Sequence, residues 1–465
     1  MLLFICILSI VSQIRPVILK KAGDGPPPGS GAINLLTIPA VSRYLNSYYM
    51  LRFLTAGESH GRGLIGILEG IPSGLPLSAE DIDRELQRRQ MGHGRGGRMK
   101  IEKDHAEIIS GVRWGKTIGS PVSLLIENRD WKNWQEGMSP DARHEGSIAP
   151  VTRPRPGHAD LAGVLKYGHN DIRNILERSS ARETAMKVAV GAIAKTFLSC
   201  FGVAVGSYVI RIGSVACGTP GSKLRVPDIF EKAEKSPVRC PDEKASKQMV
   251  RQIDRAAQQG DTLGGVFEVV VTGAPAGLGS HIQWDKKLDA RLAQALMGIQ
   301  AIKGVEVGTG FAMAEKSGSE VMDEIFYKKS NKSQVTSNKL KEKYSSDSLL
   351  VTPHSSLNEG FSRGANNAGG IEGGMSNGMP VVLRAAMKPI PTLRKPLRSV
   401  DIITKKAFEA AYERSDTCAV PAAAVVAEAM SAVVVADAFL EKFGGDSIDE
   451  TKRNFDSYLE YLKKF

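Results

Sequence analysis

From Pro421 to Phe443 the chain reads PAAAVVAEAMSAVVVADAFLEKF, with proline at its first turn and alanine or valine on nearly every side. A helix of that make-up has more than one face to hide, so it predicts a buried position with other elements packed around it. A second helix is predicted in LSAEDIDRELQRRQMG. There Ser78 precedes Asp81 by three residues as in a capping box, Ile82 and Leu86 repeat four apart, and Gly92 closes the pattern. The spacing puts Arg89 on the apolar face, near the helix end, with Arg84 and Arg88 on another side; an arginine aimed inward requires an anion. A third helix is predicted from an Asp285 cap through Leu288, Leu292, Leu296 and Ile299 to a stop at Gly304, and its leucine row reads as core. Strands are expected over residues 64–68, 122–126, 266–272 and 381–386, each rich in branched residues and bounded by Gly or Pro.

The chain has 465 residues, enough for one large domain or two ordinary ones. No internal repeat and no long linker occurs before residue 318, which favours a single α+β domain. The 48 glycines carry no fibrous period, so they imply tight turns and close backbone approaches. A net charge of +11 favours anionic partners, though part of the excess is local. Residues 328–344 hold six lysines against one glutamate, and the stretch 328–350 reads as a solvated Lys/Ser-rich insertion. The five cysteines show neither zinc nor disulfide spacing; reduced thiols and no metal site are expected. Residues 2–11 form an apolar run too short to span a membrane and without a preceding basic region. Residues 1–49 are read as a non-native or disordered extension that leaves targeting open, with 50–445 as the catalytic domain and 446–465 as a C-terminal tail.

Four segments concentrate chemistry. In Gly57-Glu58-Ser59-His60-Gly61 a histidine sits on bare backbone after a strand, which suits an imidazole presented to a ligand, although a structural histidine on a tight turn has the same look. Arg89 to Arg98 places three arginines among four glycines, a cationic loop able to wrap an anion. No aromatic residue is interleaved there to stack bases, which argues against nucleic acid. In Arg153-Pro154-Arg155-Pro156-Gly157-His158-Ala159-Asp160 the prolines stiffen the loop that displays Arg155 and His158. Asp160 either orients that histidine or caps the following turn. Arg178-Ser179-Ser180-Ala181-Arg182-Glu183-Thr184 precedes a helical run, so hydroxyls and amides at a helix start form an anion site flanked by two arginines.

With the later segments NNAGGIEGG (366–374), KPIPT (388–392) and RSD (414–416), these motifs in this order resemble the chorismate synthase family from Met50 to about Phe443. The resemblance implies a single-domain β-α-β sandwich, assembled as a homotetramer in the cytoplasm. It implies conversion of 5-enolpyruvylshikimate 3-phosphate to chorismate and phosphate by anti-1,4-elimination with reduced FMN. His60 would protonate the departing phosphate, His158 would protonate reduced flavin, and Asp416 would accept a proton relayed through the flavin. Ser59 and Ser180 would assist. Flavin contacts would come from Arg178, Ser179, Ser180, Gln300, Ala301, Gly373, Lys388, Pro389, Ile390, Pro391, Thr392 and Arg414. Arg89 and Arg95 match positions for NADPH, a candidate reductant, and with Arg155 and Arg182 they would hold the trianionic substrate. Such a substrate needs clustered guanidinium groups and a general acid that titrates near neutral pH, in agreement with the residues themselves. A flavin oxidoreductase consuming NADPH and a basic nucleic-acid-binding protein are the competing classes; no membrane partner is expected.

Overall fold

The computed structural model describes residues 50–96, 103–218, 225–328, 360–395, 397–410 and 416–465. Residues 1–49, nearly all of the 328–350 insertion, Arg98 and Arg414 lie outside the described residues.

Strands β1 (Arg52–Ala56) and β2 (Gly63–Glu69) pair antiparallel across the turn that carries His60. Gly57 opens that turn at φ 105, and a Cβ there would lie 2.2 Å from the Gly63 carbonyl oxygen, so only glycine fits. Helix α1 (Ala79–Gln90) follows, then β3 (Glu107–Ser110) and β4 (Val122–Glu127), completing a four-stranded antiparallel sheet in the order β1-β2-β4-β3. Along β2, Leu64 and Leu68 are buried while Ile65 and Ile67 face outward, the alternation of a sheet with one covered face.

Three helices come next: α2 (Asp160–Tyr167), α3 (Arg173–Ser179) and α4 (Thr184–Ser199). The second sheet begins with β5 (Ala204–Ile212) and β6 (Val215–Ala216). Helices α5 (Val226–Lys235) and α6 (Glu243–Gln258) lead to β7 (Gly265–Thr272), and α7 (Leu288–Met297) leads to β8 (Ile302–Val307) and β9 (Val381–Met387). Its order is β8-β9-β7-β5-β6, antiparallel throughout. Helices α8 (Val420–Phe443) and α9 (Ile448–Lys464) end the chain.

Helix α4 packs on the first sheet, α8 packs on β5 and β7 of the second, and the two helices pack on each other, flanked by α1 and α7. The result is sheet, helix layer, sheet: the α+β, β-α-β sandwich expected. The helices cross closely because α4 carries Gly191 at the contact, where a Cβ would come 2.3 Å from the Ala429 Cβ. Helix α8 is long and apolar enough to cross a membrane by composition, but 89% of its apolar window is buried inside the protein, as the central helix of the core.

Three local readings need correction. The leucine row is buried as predicted, but α7 starts after Lys287 and is capped by Gly298; Asp285 lies in a preceding 3₁₀ turn and Gly304 lies in β8. Arg89 is buried as expected but is not alone in reaching inward: Arg88, on another side of α1, meets the fully buried Glu428 on α8 at 2.7 and 2.9 Å. The stretch read as a tail is α9, whose Phe455 is buried among Phe201, Phe439 and Phe443.

Candidate active site

The ends of α1, α3 and β9, the starts of α2, α4 and α8, and the loops beside them surround a cavity of about 740 Å³. That size suits a bound cofactor and substrate together. Sixteen of the residues singled out from the sequence line it: Ser59, His60, Arg89, Arg95, Arg155, His158, Ser179, Ser180, Arg182, Gln300, Ala301, Lys388, Ile390, Pro391, Thr392 and Asp416. Arg178, Pro389 and Gly373 do not. The Arg178 guanidinium turns away to hold the β1 end, donating to the Thr55 carbonyl at 2.8 Å and the Gly57 carbonyl at 3.2 Å. Gly373 sits in the turn of a two-residue hairpin between Ile371–Glu372 and Met375–Ser376.

The cationic wall is assembled from three separate elements. Arg89, on the buried face of α1, donates from Nε to Thr184 Oγ1 at 2.9 Å and from Nη2 to the Ala181 carbonyl at 2.9 Å. Its neighbour Arg182 sits on the 3₁₀ turn before α4 and donates to Asn128 Oδ1 at 2.9 Å. Both guanidinium groups converge on Asp104, a residue with no motif around it. Burial pulls the Arg89 guanidinium down to about 10; Asp104 opposes that, while Arg95 and Arg182 add to it. One carboxylate between clustered cations leaves a local positive excess, which is what a polyanionic ligand needs. Arg95 is held by Asp416 at 3.0 Å, and the same carboxylate accepts the Gly96 amide at 2.6 Å. The glycine loop after α1 is thereby fastened to the chain entering α8.

Each imidazole leans on a buried carboxylate. His158 Nδ1 is 2.5 Å from Asp160 Oδ1, while Asp160 Oδ2 accepts Arg155 Nε at 2.9 Å and the Arg155 amide at 3.0 Å. Burial alone would raise the Asp160 carboxyl, yet the bonds from His158 and Arg155 hold it well below the usual range. Asp160 therefore orients the histidine. His60 Nδ1 lies 2.8 Å from Glu177 Oε1, and Ser180 Oγ donates to Ser59 Oγ at 3.1 Å beside it. Ser180 also caps the 3₁₀ turn by accepting the Arg182 amide, so the predicted helix start is that turn, one step before α4.

Apolar side chains also line the cavity, among them Met297, Ile299, Ile302, Met387, Ile390 and Val426. At its edge Gln300 Nε2 donates to Glu183 Oε1 at 2.9 Å, and Lys187 pairs with Glu183 at 2.7 Å. The Gln300 side-chain oxygen, Oε1, is buried with no hydrogen-bond partner among the described residues. A buried acceptor left open beside apolar side chains fits a flat heterocycle with N–H groups.

A profile of the chorismate synthase family matches residues 51–440. The chain belongs to the chorismate synthase family. The chorismate synthase of Geobacter metallireducens is 58% identical over 419 residues, covering 90% of this chain and 100% of that protein. The chorismate synthase of Aquifex aeolicus is 53% identical over 421 residues, covering 89% and 99%. A crystal structure of a chorismate synthase superposes with a TM-score of 0.67 at 43% identity, over 89% of this chain and 99% of that one. Membership in the chorismate synthase family carries its chorismate-forming lyase role in the shikimate pathway. Against that family background, sequence reading missed Asp104, Glu177, Glu183, Lys187 and Lys303, all at or just behind the cavity wall. Glu177 directly precedes the Arg178-Ser179-Ser180 motif, the one signal that pointed to it.

Proposed function

We propose that this chain converts 5-enolpyruvylshikimate 3-phosphate to chorismate and phosphate by anti-1,4-elimination in the presence of reduced FMN. The observation that carries the reading is that two carboxylate-held imidazoles, four arginines and Asp416 open onto one cavity that apolar side chains also line. Gln300, Ala301 and the 388–392 segment, with Ser179 and Ser180, would hold the flavin among the apolar side chains of the cavity. Reduced FMN, when bound, supplies transient electron donation that weakens the bond to phosphate, with no net redox change.

The remaining work falls to side chains. Arg89, Arg95, Arg155 and Arg182 would pin the phosphate and carboxylates, which removes ordering entropy from the reactive step. His60 would hold a proton for the phosphate oxygen as the bond breaks. His158, held by Asp160, would keep a proton toward the flavin side. Asp416 would take up the proton the substrate loses. NADPH as reductant, a cytoplasmic location and a homotetramer belong to the same proposal. Outward Leu54, Ile65, Ile67 and Ile109 on the first sheet support assembly, since adjoining exposed apolar side chains favour burial.

The test is anaerobic: purified protein, dithionite-reduced FMN and 5-enolpyruvylshikimate 3-phosphate are mixed while chorismate absorbance and free phosphate are followed. Equal yields of both, with the flavin still reduced at the end, are expected. Absence of both products ends the proposal.

A further inference from the structure

We infer that Glu177 is a positioning residue for His60, gripping the imidazole by Nδ1 so that its chemistry is confined to Nε2. The inference rests on the function proposed above. Glu177 lies on α3 and both of its carboxylate oxygens are engaged: Oε1 meets His60 Nδ1 at 2.8 Å, and Oε2 accepts the His60 backbone amide at 2.8 Å. Its backbone carbonyl accepts the Ser59 amide at 3.0 Å, so one residue fixes both members of the Ser-His pair. A carboxylate accepts only, so a ring nitrogen bonded to it carries the proton, and the tautomer is set.

The ring is also restrained on its face. Trp134 packs against His60 with centroids 4.3 Å apart and planes inclined by 36°. Trp134 is itself anchored, donating from Nε1 to Asp130 Oδ2 at 3.1 Å, with the Arg173 guanidinium over its ring at 4.9 Å. Arg173 returns to Glu177 at 3.3 Å, one helical turn away. Histidine, tryptophan, arginine and glutamate therefore close a ring of contacts behind the cavity.

Two facts set this apart from ordinary packing. The Glu177 side chain is 2% exposed, and burying a carboxylate is unfavourable unless its charge is used. Burial alone would raise its carboxyl, but the hydrogen bond and charge of His60, with Arg173 behind, hold it below the ordinary value. Asp160 repeats the arrangement at His158 from the first turn of α2, so two independent carboxylate–imidazole pairs serve one cavity.

The experiment is a double-mutant cycle on full-length protein in the anaerobic assay. Glu177→Gln should lower kcat by at least about tenfold with KM within about twofold, because the loss falls on the reacting geometry. In a His60→Ala background the same change should cost nothing further. A wild-type-like Glu177→Gln enzyme, or an equal additional loss in the His60→Ala background, overturns the inference. Inactivity of the wild type itself would instead overturn the function. Should Glu177→Gln fail to fold, solid-state ¹⁵N NMR of histidine-labelled wild-type protein decides, with the His60 signal identified by its loss in His60→Ala. A ring that carries its proton at Nδ1, whether or not Nε2 is protonated as well, is expected, and a neutral ring protonated at Nε2 alone refutes the grip.

Discussion

Asp160 serves two masters through one carboxylate: Oδ1 faces the His158 ring and Oδ2 faces the Arg155 side chain and backbone. Orientation of an acid–base group and orientation of an anion clamp are therefore mechanically joined within six residues. His158 sits at the outer end of this arrangement, where truncation leaves the Arg155–Asp160 pair intact. His158→Ala should therefore cut turnover by about 10²- to 10⁴-fold, the usual worth of a positioned proton donor, while flavin affinity changes only a few-fold. Stopped-flow turnover alongside a flavin fluorescence titration separates the two, and wild-type-like rates would remove His158 from the chemistry.

At the scale of elements, α4 and α8 cross in close contact at Gly191. On an open helix, glycine to alanine is stabilising by up to about 1 kcal/mol. Here the added methyl would meet Ala429 at 2.3 Å, a contact that only separation of the helices can relieve. Gly191→Ala should be destabilising by about 1–3 kcal/mol, read as a lowered urea midpoint; a raised midpoint would mean the crossing is looser than described. What the sequence disclosed at this scale follows from distance along the chain. The Ser78 capping box and the leucine row of α7 are local, so their periodicity was sufficient. The end of α7 was misjudged because the apolar spacing runs on through Ile299, whereas the helix itself closes at Gly298, ahead of the turn at Ala301 with φ 66. Glu177 and His60 lie 117 residues apart and Asp104 and Arg182 lie 78 apart, so only the fold introduces them. The arginines and histidines were legible because they sit in motifs, as do Asp160 and Asp416, whereas Asp104 and Glu177, which support Arg89, Arg182 and His60, do not.

For the molecule as a whole, Glu428 is the charge that ties the layers together. It accepts from Arg88 of α1, Lys195 of α4, Arg239 of the loop before α6, and Ser207 of β5. Burial would raise this carboxyl, but Lys195, Arg88 and Arg239 hold it well below the usual range. A depressed folded value means the contribution is present above the ordinary glutamate pKa of about 4.3 and is lost as pH falls through the folded one. Glu428→Gln should be destabilising by about 3–5 kcal/mol at pH 7, by stranding buried cations. The gap to wild type in urea midpoint should narrow below about pH 4; a gap independent of pH would assign the effect to packing. Helix α8 carries this charge at its middle and presents Ala422, Ala423 and Val426 to the cavity from its first turns. Two methyl-sized side chains, Ala422 and Ala423, therefore border the cavity from the same rod that organises the interior. Trading either alanine for a larger aliphatic residue would take room from whatever occupies that space, by single carbons, while the rod itself stays put.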